Sequence, residues 1–277
     1  MKVLAVARLT LAEAAKRRLL LTGGLVSLAF VGLFLAAFWF IDTRATTPEG
    51  VMSALASTFL TIFGLYTIYF LTGVLSVFLA AGAVSGDVDN GILHAILARP
   101  LSRAQYLFGR WAGLAALVTG YVAVMGGSLL VAAWLFADYV ALDPWATMGL
   151  LALQALCLLS LALLGSTLLP TVANGVAVLA LFGLAWLGGI IGGVGRSVGN
   201  ETLATIATVV GVAVPSDALW RAASYFAQSP LLLVAGEIPG IPFASTVPPS
   251  AAVVTWGLAY PLVALGFAVL AFSRRDL

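Results

Sequence analysis

FLTIFGLYTIYFLTGVLSVFLAAGA, residues 59–83, followed by VSGDVDNGILHAILARPLSRAQYLFGR, residues 84–110, decides the fold class. The first run carries no Lys, Arg, Asp, Glu or His. Crossing roughly 30 Å of hydrocarbon at about 1.5 Å per residue takes about 20 apolar residues. Residues 59–83 are therefore long enough to cross a bilayer as one helix. The second run is charged and broken by Gly91 and Pro100, so it leaves the apolar phase and then re-enters it. A span, a polar elbow and a second span follow one another here.

The same test, moved outward along the chain, finds spans at 19–41, 111–137, 147–169, 173–195 and 251–273. None of the 13 basic or 11 acidic side chains falls inside any of the six. Composition agrees: 62% of the 277 residues are hydrophobic and 9% are charged, against about 25% charged in a soluble domain. Mean hydropathy is +1.12. The expected fold is all-α, a polytopic membrane protein with six transmembrane helices.

Lys and Arg placement sets the expected orientation, because cytoplasmic loops hold an excess of them. With the N-terminus inside, ten basic residues lie inside and only Arg44, Arg196 and Arg221 lie outside. Both termini are thus expected in the cytoplasm. Residues 1–18 read as an amphipathic interfacial helix or as a basic anchor, with Val3, Val6, Leu9 and Ala14 on one face. Glu13 and Arg17 stand four apart, a favourable pair on a helix. The transmembrane domain occupies 19–277, with a cytoplasmic elbow at 84–110 and an external segment at 197–250. Within that segment the apolar stretch from Leu203 to Val214 is too short to span, and Pro215 and Asp217 close it. It reads as one or two short interfacial helices.

Several function classes drop out. A net charge of +2 gives no reason to expect a nucleic-acid partner. A single cysteine, Cys157, and a single histidine, His94, exclude a metal site built from several such ligands. His94 lies in the elbow, away from the serines of the spans, which disfavours a buried Ser–His hydrolase. The chain has no G-x-x-x-x-G-K-[ST] run to cradle phosphates, and no ionisable group in its spans for ion-coupled transport. Energy for any transport is expected from another polypeptide, and no cofactor is expected on this one.

In the elbow, Asp89 is placed to cap a short helix with Ile92, Leu93, Ile96 and Leu97 on one face, ended by Pro100. Ser102 and Gln105 have capping-box spacing for the next helix. The elbow reads either as a surface anchor or as a docking element. The pattern SGDVDNGIL…LARPLSR…LFGR resembles the loop between helices two and three of ABC type-2 transporter permeases. The six-helix layout, the basic N-terminus, the long segment before helix six and the terminal SRRDL are also similar to that family. Here Asp87 and Asp89 stand where Glu is commoner, and Gly91-Ile92 where Gly-Thr is commoner.

That resemblance implies an exporter permease in a prokaryotic plasma membrane, working as a dimer, most simply a homodimer, with two copies of an ABC ATPase subunit. ATP and Mg would be bound in that partner. Asp87, Asp89, Gly91, Arg99, Pro100 and Arg103 would be the coupling residues. The other reading is a mechanotransmitter or anchor, in which the ATPase acts on an extracytoplasmic partner and no solute crosses.

Span two also carries a polar stripe of Thr58, Thr61, Tyr69, Thr72 and Ser76, broken by Leu65, whose spacings of three and four put them on one face. Such a stripe reads as hydrogen bonding to neighbouring helices or its own backbone, or as a lining for a translocation path with Trp186 of span five. Gly188 and Gly192, and Gly109 and Gly113, form G-x-x-x-G pairs that let helices approach within one bundle or across a dimer.

Overall fold

The computed structural model describes residues 2–15, 18–44, 50–89, 91, 102–230 and 244–274. Among these, all regular structure is helical. Helix α1 is Lys2–Ala15, α2 Arg18–Arg44, α3 Gly50–Ala80 and α4 Ser85–Asp89. Helix α5 is Arg103–Ala137, α6 Pro144–Leu168 and α7 Thr171–Ser197. Two shorter helices follow, α8 Glu201–Ala213 and α9 Ser216–Ala227, before α10 at Ala251–Ser273.

Among the described residues, six helices, α2, α3, α5, α6, α7 and α10, are each long and apolar enough to cross a membrane. Their outward faces carry large apolar side chains such as Leu28, Leu33, Val172 and Leu262, as lipid solvent requires. Helices α8 and α9 meet at 99° around Val214 and Pro215. Proline cannot donate to the preceding turn, so the short apolar run folds back on the bundle.

Local chemistry sets the helix starts. Ser102 accepts from Gln105 N while Gln105 returns a bond to the Ser102 N–H, a complete capping box for α5. Asp143 caps α6 with Pro144 in its first turn, Asn200 caps α8 and Ser250 caps α10.

Glycines set the closest approaches. A Cβ at Gly192 would lie 2.5 Å from the Ala207 Cβ, and one at Gly195 2.7 Å from the Leu203 Cβ. The glycine face of α7 is thus the seat of α8 in the same chain. Gly109 and Gly113 of α5 do the same for α1: added Cβ atoms would meet Val6 at 2.5 Å and the Ala7 carbonyl at 2.7 Å. On α1, Ala7, Thr10 and Ala14 are buried towards α5 and Val6 packs on Gly109, while Val3, Leu4 and Leu9 point outward. Glu13 pairs with Arg110 of α5; Arg17 is outside the described residues.

Two apolar clusters fill the bundle. One surrounds Leu65, Tyr69, Leu151, Leu158 and Trp220, and the other surrounds Val77, Leu107, Leu159 and Phe272 at the elbow end.

Candidate functional site

The elbow is fastened at both ends. After α3, residues 81–84 turn into α4, and this turn is held by α6 and α7. Val84 N and Ser85 N donate to Ser166 Oγ at 2.9 and 3.1 Å. Asn174 Nδ2 donates to the Ala81 carbonyl at 2.9 Å and to the Ala162 carbonyl at 2.8 Å. A Cβ at Gly165 would overlap the Asn174 side chain, so glycine there makes room for the amide.

One turn further on, Asp87 points into the bundle and is 5% exposed. It pairs with Arg110 of α5 and accepts from the Tyr106 hydroxyl. Arg110, 6% exposed, also donates from Nη1 to Glu13 Oε2 of α1 at 2.6 Å. Its Nε reaches the Tyr106 hydroxyl at 3.3 Å. One guanidinium so joins α1, α4 and α5. A buried charge is tolerable only when paired and hydrogen-bonded, and here the fork of donors meets two carboxylates and a phenol.

At the exit, Arg103 Nη1 donates to the Phe272 and Ser273 carbonyls at 2.7 and 3.2 Å, and its guanidinium lies 5.6 Å from the Phe272 ring centroid. A cation at the C-terminal end of a helix satisfies its last carbonyls and its dipole. Asp89 ends α4 and is exposed, as is Gly91, whose φ of +68° is readily adopted by glycine. The short helix expected from Ile92 to Leu97, with Arg99 and Pro100, lies outside the described residues. Asp87 and Arg103 therefore face their own chain, and Asp89 and Gly91 face outward.

The stripe of α3 points into the bundle too. Thr61 Oγ1 donates to the Ser57 carbonyl at 2.7 Å, Thr72 to Ile68 at 2.5 Å and Ser76 to Thr72 at 2.8 Å. Each hydroxyl returns to its own helix four residues back. All three, with Tyr69, are at most 1% exposed. The Tyr69 ring stacks with Tyr66 and meets Phe182 and Trp220 at centroid distances of 5.9, 5.3 and 5.4 Å. Trp186, half-buried, donates to the Tyr66 hydroxyl. The stripe and Trp186 thus share one aromatic cluster that joins α3, α7 and α9. The Tyr69 and Ser216 hydroxyls are buried beside each other without a hydrogen bond of ordinary geometry.

A sequence model of the family described as ABC-2 family transporter protein matches residues 6–277. The chain belongs to this family. An ABC-2 permease is a membrane transport subunit and is not itself the catalyst, which accords with six long apolar helices in one chain. A comparison with curated proteins returns no match. In this permease, hydrogen bonds and a buried ion pair fasten the two ends of the elbow to the bundle.

Sequence reasoning weighed Ser166 only as a span serine in a hydrolase, and missed its hold on the elbow along with Asn174 and Gln154 of this permease. Gln154 is fully buried in α6 and donates to the Tyr69 carbonyl at 3.3 Å. A signal was present, since a primary amide in a long apolar span is costly unless it meets polar partners on a neighbouring helix.

Proposed function

We propose that the chain is the transmembrane subunit of an ABC type-2 exporter, assembled as a homodimer with two ATPase subunits docked on the elbow. The supporting orientation puts the elbow and α1 at the cytoplasmic face of a prokaryotic plasma membrane, where ten of the 13 basic residues then lie. ATP and Mg belong to the partner. The observation that carries the reading is the double anchorage of the elbow. Asp87 leads into α5 and α1 through Arg110, and Arg103 leads into α10. A push on the outward-facing tip would be delivered to several helices at once, because packed elements shift as units rather than bend.

The test uses Asp89→Lys, a change at an exposed site that leaves both anchors intact. Copurification of the ATPase and its stimulated hydrolysis should both fall while the permease stays folded. Wild-type values for both would remove the elbow from the coupling route.

Burial of Thr61, Tyr69, Thr72 and Ser76 favours keeping a second reading, a mechanotransmitter acting on an extracytoplasmic partner. Thr72→Val preserves shape and removes the hydroxyl. Altered ATPase stimulation across a solute panel would favour a translocation path at this stripe; an unchanged panel would favour transmission.

A further inference from the structure

A cleft of about 760 Å³ opens between the α8–α9 pair, the C-terminal half of α7 and the start of α10, at the bundle end opposite the elbow. Its walls are mostly apolar, with Val212, Val253 and Trp256 among them. Three charges also line it. Asp217, 6% exposed, accepts from Arg221 Nε at 2.7 Å. Its carboxylate rests against the α7 backbone at Gly189, where a Cβ would overlap it. Burial pushes the Asp217 carboxyl above the usual carboxylate range, and Arg221 and then Arg196 pull it back. Arg196 is exposed and makes no ion pair or side-chain hydrogen bond among the described residues. Two guanidiniums therefore face one carboxylate, and that carboxylate is already taken by Arg221.

We infer that this cleft binds a bilayer phospholipid with an anionic head group, its phosphate on Arg196 and its acyl chains along the wall of Val212, Val253 and Trp256. The volume falls in the range of small-molecule sites, about 300–1,000 Å³. A cation beside a wide apolar wall calls for an occupant that is both anionic and apolar. A free phosphate would leave the wall bare, and a zwitterionic lipid would bring a second cation to Arg196. Helices α7 and α10 are both long enough to cross the membrane, so bilayer lipid reaches the cleft without leaving its own phase. Binding at this site depends on no ATPase.

The test uses the purified full chain in detergent, titrated with phosphatidylglycerol or with phosphatidylcholine of the same acyl chains, and read by native mass spectrometry. Phosphatidylglycerol should be retained about tenfold more strongly, because the choline ammonium of the other lipid is a like charge beside Arg196. Arg196→Gln should bring the two lipids near parity, and Arg196→Lys should keep most of the preference. Arg196 is exposed and has no ion-paired or hydrogen-bonded partner to lose among the described residues, so neither variant is expected to disturb folding. Photoactivatable phosphatidylglycerol should label peptides within 207–221 or 245–256. Equal retention of the two lipids, a preference that survives Arg196→Gln, labelling confined to the elbow end, or equal competition by inorganic phosphate would each overturn the inference.

Discussion

Arg103 and Phe272 stand 169 positions apart and are joined by a 2.7 Å hydrogen bond from the Arg103 Nη1 to the Phe272 carbonyl. The first residue of α5 thereby caps the last turn of α10, and the cation also lies over the Phe272 ring.

Arg103→Ala removes that cap. A charged hydrogen bond contributes about 1.5–3 kcal/mol when buried, and partial exposure of Arg103 lowers the expected cost to about 1 kcal/mol. The detergent-solubilised chain should then melt about 2–4 °C lower. Arg103→Lys should recover part of this, since an ammonium reaches a carbonyl but lacks the guanidinium's fork of donors. An unchanged melting temperature in Arg103→Ala would show that the cap contributes nothing.

Asp87→Ala leaves the buried Arg110 with the Tyr106 hydroxyl and with one ion-pair partner among the described residues, Glu13, whose side chain is 40% exposed. Losing one member of a buried pair costs about 3–5 kcal/mol, so the yield of folded protein should fall sharply. Adding Arg110→Met should restore most of it, because the remaining carboxylate at Glu13 can turn to water. Recovery is measured by size-exclusion chromatography of the two variants side by side. If the double variant is no better than the single one, Asp87 acts through something other than this ion pair.

Gly109→Leu and Gly192→Leu each insert a side chain where only a hydrogen fits. Overpacking of this kind costs about 1–3 kcal/mol. The first should release α1 from α5 and raise proteolytic cleavage within Lys2–Ala15; the second should do so within Glu201–Ala213. Gly193→Leu is the control, as a Cβ there meets nothing. Equal protection in all three would mean that the helix approach is not set by these glycines.

Orientation is tested with single cysteines in a Cys157→Ala background. Ser197 and Asp89 are both exposed and sit at opposite ends of the bundle. In intact cells, a membrane-impermeant thiol reagent should label Ser197→Cys and spare Asp89→Cys. After permeabilisation both should react. The reverse pattern would place the elbow outside and dismiss the proposed ATPase docking.

Some of this architecture is written in short stretches of sequence. The six spans follow from hydropathy over about 20 residues, because desolvation is set by each segment's own side chains. The capping box at Ser102 and Gln105 is equally local, since its two hydrogen bonds close within one turn. The bend at Pro215 is local for the same reason.

Partner choice is a different matter. The resemblance marks Asp87 and Arg103 as coupling residues without saying what they touch in their own chain, where Asp87 meets Arg110 23 residues on and Arg103 meets the end of α10. The glycine pairs signal close approach without saying to what, and only the packed chain assigns α1 to Gly109 and Gly113 and α8 to Gly188, Gly192 and Gly195. Spacing groups Val3, Val6, Leu9 and Ala14 on one face of α1, and only the packed chain shows that Ala7, Thr10 and Ala14 are the side chains buried against α5. Periodicity describes one helix, whereas a buried ion pair or a glycine contact depends on where a second helix lies. That position is set by packing between residues far apart in the chain, and it is there that the tertiary structure decides.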